Sequence, residues 1–265
     1  MIAEEYIKAG LKQVNKDEKA NRVQSERRPD GLRKLSPTWL NKPTLWTLLH
    51  LVGVQDAEAE EYSLGVFRRG KDVEDTYVEL VKMFEPTLET QNQISYRGMT
   101  GYIDIHIPDK KEVREVKSIK TTAWNYIKPS KKAMGEYGTA DIHDYIYMKY
   151  PHYVIQAATY ALDKGYDTFT IDLIKADDLQ SLTLVYNTAD YKQVVDSKID
   201  AIEEVIKSYL ADGTLPEFVP FNQWDEHPTY ASYKHILFDA AGKKREPEEI
   251  IKQAQYEIKM FAKTD

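Results

Sequence analysis

Asp104, Glu115 and Lys117 are the residues of this chain whose types and spacing can do chemistry together. In GYIDIHI (101–107) the alternation of a β-strand puts Ile103, Ile105 and Ile107 on one face, so Asp104 points the other way. In EVREVKSIK (112–120) Glu115 and Lys117 stand two apart and share a face with Val113, while Val116 points oppositely. If the two strands are neighbours, Asp104 lies beside Glu115 and Lys117. Two carboxylates and the Val116 carbonyl are hard oxygen ligands of the kind Mg²⁺ takes. An ion held there would polarise a phosphate and acidify a bound water, and Lys117 would orient that water and offset developing charge. The set suits phosphodiester hydrolysis. Glu-x-Lys on a strand is also what a solvated face looks like. Asp104 weighs against that reading, because an acid in an isoleucine-rich strand is costly to bury unless it is paired or metal-bound.

Several elements must position these residues. From 62 to 84, Phe67, Val73, Tyr77, Leu80, Val81 and Phe84 recur at helical spacing and predict a long amphipathic helix, with Glu74 near the edge of its apolar face. After Pro86 the period changes to that of strands: QNQISYRG, GYIDIHI and EVREVKSIK form a meander with turns at 97–100 and 108–111. Residues 121–150 are rich in Lys, Gly and Tyr without a period and read as a long excursion over the active face. Pro151 opens a helix that Gly165 stops, TFTIDLIKA and SLTLVYN are two further strands, and a helix follows from about 191 to 210. Ahead of all this, SPT (36–38) can open a helix and TLWTLLHLVGV (44–54) is apolar enough for a core. The expected organisation is a charged arm at 1–35, a core at 36–215 with 121–150 inserted, and an aromatic and helical tail at 216–265 packed on that core.

The bulk numbers narrow the function classes. A chain of 265 residues with 42% hydrophobic content can form one elaborated domain. With a net charge of -7, any contact with a polyanion must be local, along a groove lined by Lys and Arg. Cysteine is absent, which excludes disulfides, thiolate zinc sites, a cysteine nucleophile and cysteine-ligated iron–sulfur clusters. The polar N-terminus is unlike a signal peptide, no apolar run approaches the ~20 residues of a membrane helix, and no P-loop is present. The expectation is a soluble cytoplasmic protein without a membrane partner.

These residues resemble the PD-(D/E)XK nucleases. Gly101-Tyr102-Ile103-Asp104 is similar to the G-x-x-D strand and Glu115-Val116-Lys117 to the E-x-K strand of that superfamily. Gln156 and Tyr160, four apart on one helical face, resemble the Q-x-x-x-Y motif of its RecB-like branch, which includes CRISPR-adaptation exonucleases and many phage exonucleases. Gly70-Lys-Asp-Val-Glu74 falls where that branch carries Gly-x-x-x-His or Gly-x-x-x-Glu. The resemblance covers about residues 64 to 175. It implies an α/β (α+β) fold with a restriction-endonuclease-like core, a central mixed β-sheet with an antiparallel meander flanked by helices. It also implies Mg²⁺ or Mn²⁺ on Asp104, Glu115 and the Val116 carbonyl, with Glu74 as a further carboxylate. Lys117 would position water, and Gln156 and Tyr160 would orient the strand or the site. On the residues alone, Gln156 and Tyr160 could equally be a helix-surface polar group and a packed aromatic, and Glu74 could pair with a Lys or Arg on its own helix. Many RecB-like relatives hold a [4Fe–4S] cluster on cysteines flanking the core. This chain can hold none, and aromatic packing of the tail is expected in its place.

The implied activity is that of a Mg/Mn-dependent deoxyribonuclease, an exonuclease or single-strand end-processing enzyme of phage type, serving DNA recombination or repair in the cytoplasm of a host cell. Its partner would be DNA, single-stranded or at duplex ends. Arg68, Arg69, Arg97, Lys120, Lys128, Lys131 and Lys132 would guide phosphates, and Trp124, Tyr126 and Tyr137 could stack unpaired bases or simply cover the core. A recombination or replication protein partner and a homo-oligomer stay open. Two alternatives stand beside this: a catalytically silent DNA-binding or recombination accessory protein on the same fold, and an interaction domain that docks through its aromatic tail.

Overall fold

A computed structural model describes residues 9–14, 27–57, 61–127, 138 and 141–261. The elements used below are α1 (Thr44–Val52), α2 (Glu61–Lys82), β1 (Asn92–Ile94), β2 (Gly101–Ile103), β3 (Ile105–Ile107), β4 (Glu112–Ile119), α3 (Ile142–Lys149), α4 (Pro151–Lys164), β5 (Thr168–Lys175), β6 (Ser181–Asn187), α5 (Ala189–Asp212) and α6 (Pro247–Phe261). The chain divides into two units, one formed by 36–40 and 66–197, the other by 1–35, 41–65 and 198–265.

The first unit is a mixed α/β layer structure. Its four-stranded sheet has the order β3-β4-β5-β6, antiparallel, then parallel, then antiparallel. The parallel step from β4 to β5 requires a crossover, and α4 supplies it. Because β4 is buried on both faces, each face needs a helix. On one face α2 packs Val73, Tyr77, Val78 and Val81 against Ile105, Ile107, Val116 and Ile174. The other face is covered by α4, which contributes the buried Val154, Ala157, Ala158 and Ala161. Pro151 sits in the first turn of α4, and Gly165 ends it at φ 67, a left-handed position that suits glycine. The mixed sheet with a meander flanked by helices is the architecture expected from the sequence.

Segment 101–107 departs from its reading as one strand. It breaks at Asp104: β2 pairs with β1 in a separate two-stranded ribbon, while β3 joins the main sheet. Ile105 and Ile107 therefore pack under α2, but Ile103 belongs to the ribbon. Continuing the β3–β4 register would place Ile103 opposite Val116, but the Val116 N–H donates to Asp104 Oδ2 at 3.0 Å. A carboxylate thus takes the place of a strand, which is why the break costs no unpaired amide. Other sequence expectations also shift. Phe67, Leu80 and Phe84 lie exposed on or just past α2, so the buried stripe of this helix is narrower than their spacing suggested. Within 121–150 the chain forms the helix α3, capped by Asp141, whose carboxylate accepts from the His143 and Asp144 amides.

In the second unit α1 buries Leu45, Trp46, Leu48, Leu49 and Leu51 and ends at Gly53, φ 111. The Trp46 ring lies 4.5 Å from that of Phe218 and 5.3 Å from that of Tyr233, and the Tyr233 hydroxyl donates to the Val54 carbonyl at 3.2 Å. Within 1–35, read as an arm, residues 27–35 are seated: Leu32 and Leu35 are buried, and the Arg28 guanidinium clamps Glu203 at 2.6 and 3.0 Å. Among the described residues no helix is long and apolar enough to cross a membrane.

Candidate active site

The strand break and the E-x-K strand bring three charged side chains together. The Lys117 ammonium lies 2.5 Å from Glu115 Oε1 and 3.8 Å from Asp104 Oδ2. Glu115 is completely buried, and apart from Lys117 neither of its carboxylate oxygens has a hydrogen-bond partner. Burial therefore pushes its pKa up, to about 8; Lys117 opposes that shift and the Asp104 and Glu74 charges add to it. Burial works against the Lys117 charge too, but Glu115, Asp104 and Glu74 outweigh it and hold Lys117 firmly protonated.

Glu74 reaches the site from α2. Its Oε1 accepts from the Ser118 amide at 3.1 Å, and burial raises its pKa against the pull of Lys117. The helix can come this close because of Gly70, where a Cβ would stand only 3.0 Å from Ser118 Oγ. From α4, Tyr160 and Gln156 face the same group. The Gln156 Nε2 donates to the Tyr160 hydroxyl at 2.7 Å, and burial followed by the Glu115 and Asp104 charges raises the Tyr160 pKa. Asp104, Glu115, Val116, Lys117, Glu74, Gln156 and Tyr160 are thus brought to one place.

A cleft of about 860 Å³ opens onto this group, lined among others by Phe67, Lys71, Glu74, Asp104, Val116, Lys117 and Tyr153. Tyr153, unnoticed in the sequence, faces the Lys117 ammonium, which stands 5.8 Å from its ring centroid. Its signal was there: Tyr153, Gln156 and Tyr160 follow the three- and four-residue spacing of one helix face. The expected phosphate-guiding cations are placed elsewhere. Arg68 pairs with Asp72 at 3.0 Å, Arg69 with Asp177, and Arg97 with Asp196 at 3.3 Å. Lys120 is exposed and Trp124 half-buried, and neither lines the cleft; its cations are Lys71, Lys82 and Lys117. Lys128, Lys131, Lys132 and Tyr137 lie outside the described residues.

The donor set fits a hard divalent ion in kind. Two buried carboxylate oxygens without hydrogen bonds are a cost that a cation removes. Among the described residues no three His, Asp or Glu side chains are gathered tightly enough to hold an ion by themselves, so a main-chain carbonyl or water must complete the set.

No family model and no curated protein sequence matches the chain. Solved structures similar to it include an alkaline exonuclease from Laribacter hongkongensis, 14% identical, covering 67% of this chain and 90% of that one with a TM-score of 0.44. That enzyme in complex with dAMP is 13% identical over 67% of this chain and 90% of its own, TM-score 0.45. A phage-related exonuclease from Haemophilus somnus 129PT is 14% identical over 67% of this chain and 96% of its own, TM-score 0.44.

Proposed function

We propose that this protein is a metal-dependent DNA nuclease of the PD-(D/E)XK type, an exonuclease or single-strand end-processing enzyme. The observation that carries the reading is the fully buried Glu115, unsatisfied except by Lys117, beside Asp104 at the floor of an open cleft. Asp104, Glu115 and the Val116 carbonyl would hold Mg²⁺ or Mn²⁺, with Glu74 close enough to join through water. The bound ion would supply electrophilic polarisation of the scissile phosphate and acidify a water. Lys117 would orient that water, its ammonium lying 2.5 Å from Glu115 Oε1 and 3.8 Å from Asp104 Oδ2. Tyr153 faces the Lys117 ammonium with its ring, and Tyr160 lies buried beside the Glu115 and Asp104 charges. Gln156 fixes the Tyr160 hydroxyl.

A silent DNA-binding protein would need the fold but not an unsatisfied buried acid beside a lysine. End-labelled single- and double-stranded DNA, incubated with Mg²⁺, Mn²⁺ or EDTA, decides between the two. Cleavage that requires metal and disappears in Glu115→Ala and Lys117→Ala supports the nuclease. DNA binding without cleavage under every metal condition sinks it.

A further inference from the structure

The cleft has two unlike ends. Phe67 is 62% exposed and lines the mouth, an unusual position for a phenylalanine on a helix that also buries an apolar stripe. It precedes Glu74 by seven residues, two helical turns, so both look from the same face of α2 with about 10 Å between them along the axis. Between them lie Gly70, pressed against Ser118, and Lys71, whose ammonium stands 3.3 Å from Asp75. Beyond Glu74 the wall carries Asp75, Glu79 and Lys82. Phe67 and Tyr153 are the aromatic side chains among the described residues lining the cleft, and Tyr153 is engaged with Lys117, so a strand whose phosphate sits at Asp104, Glu115 and Lys117 finds its free ring face at Phe67.

We infer that Phe67 is the platform on which an unpaired base stacks, one to three nucleotides from the scissile phosphate at a rise of ~3.4 Å per base, and that the site therefore selects single-stranded or frayed DNA ends. The inference rests on the nuclease reading of the same site. A benzene ring offers a face to any base, so the selection is for strandedness rather than sequence. A base already stacked on both sides within a duplex cannot use it.

The test is steady-state cleavage of a single-stranded oligonucleotide by wild type, Phe67→Ala, Phe67→Leu and Phe67→Trp, with an abasic residue scanned through the three nucleotides beside the cleaved bond. Phe67→Ala should raise KM by about 5- to 150-fold, the range of one lost base–aromatic stack, and leave kcat within about threefold. Trp should restore KM and Leu should not. At one scanned position the abasic residue should cost wild type the same factor and cost Phe67→Ala nothing further. Equal KM for wild type and Phe67→Ala, or equal abasic penalties in both, overturns the inference. A 2-aminopurine scanned through those positions, with Ca²⁺ in place of Mg²⁺, reads the stack without turnover. Quenching by wild type but not by Phe67→Ala supports the platform even if no metal yields cleavage, in which case only the nuclease reading fails. No quenching by wild type overturns the platform, and the nuclease reading stands if cleavage proceeds.

Discussion

Adjacent residues of β4 carry two buried ion pairs that differ in what surrounds them. On the α2 face, the Arg114 guanidinium donates to Asp172 Oδ2 at 3.2 Å and lies 2.8 Å from Glu112, while Thr183 donates to Asp172 Oδ1 at 2.6 Å and the Tyr77 hydroxyl is bonded to the same carboxylate. Asp172 is completely buried, and both its oxygens have donors. Glu115, next along the strand and as deeply buried, has Lys117 and no hydrogen-bond donor besides. One pair is satisfied from its surroundings and fixes the sheet against its helix. The other holds a buried acid with its pKa raised to about 8, a state that a divalent cation relieves.

Substitutions should separate the two. Glu115→Gln and Lys117→Ala are expected to lower DNA cleavage by roughly 10²- to 10⁴-fold, as losses of a water-positioning or charge-stabilising group do. Glu115→Gln keeps the shape and removes the cost of ionising a buried acid, so in EDTA at about pH 8 its thermal midpoint should equal or exceed that of wild type. An unfolded Glu115→Gln would show that Glu115 is structural like Asp172 and break the contrast. Asp172→Ala should do the reverse, losing about 3–5 kcal/mol in urea unfolding because Arg114 loses the fully buried half of its ion pairing and the Thr183 and Tyr77 hydroxyls lose their shared acceptor. Adding Arg114→Met to it should recover most of that loss. If Asp172→Ala alone melts like wild type, the satisfied network is not what holds α2 to the sheet.

This contrast was half visible in the sequence. Strand periodicity was enough to place Glu115 and Lys117 together, because a two-residue repeat leaves no choice of face. Spacing also placed Gln156 with Tyr160 and gave the helices of the first unit. It did not show the break at Asp104: alternating isoleucines look the same whether a strand continues or changes partner, and the partner change depends on β1, β4 and the Val116 amide together. Nor could it show that Asp172, in a strand buried on both faces, draws its donors from Thr183, Arg114 and Tyr77, residues near it only in space. The ion pairs of Arg69 with Asp177 and of Arg97 with Asp196 were not legible either, because those partners are distant in the chain. Phe67 and Phe84 satisfied helical spacing yet lie exposed, since the width of a buried stripe is set by the surface it meets.

The second unit supplies a buried titratable group of the opposite sign. Burial, with the Arg33 charge, lowers the His50 pKa to about 4. A depressed folded-state pKa means that the unfolded chain binds the proton first. His50 therefore contributes its full share of stability above about pH 6.5 and loses it as pH falls through 4, roughly 3 kcal/mol in all. Glu115 works the other way in EDTA: with its folded-state pKa raised, its share declines as pH climbs toward about 8. Urea titrations from pH 4 to 8 should show the acid-side loss flattened in His50→Gln and the alkaline-side loss flattened in Glu115→Gln. A His50→Gln profile parallel to wild type would mean that His50 protonates without penalty.

The smallest effect expected concerns Tyr153, whose ring stands 5.8 Å from the Lys117 ammonium. The ring face attracts the cation by about 0.5–2 kcal/mol, depending on how dry the site is, while the hydroxyl has no part in that attraction. Tyr153→Phe should therefore cleave DNA within about twofold of wild type, and Tyr153→Leu should lose about 3- to 30-fold, with the loss falling on kcat because the ring acts on Lys117. Equal losses in Phe and Leu would transfer the role to the hydroxyl. Tyr153 would then satisfy the site in the way that Tyr77 satisfies Asp172, and the two faces of β4 would be more alike than their hydrogen bonds suggest.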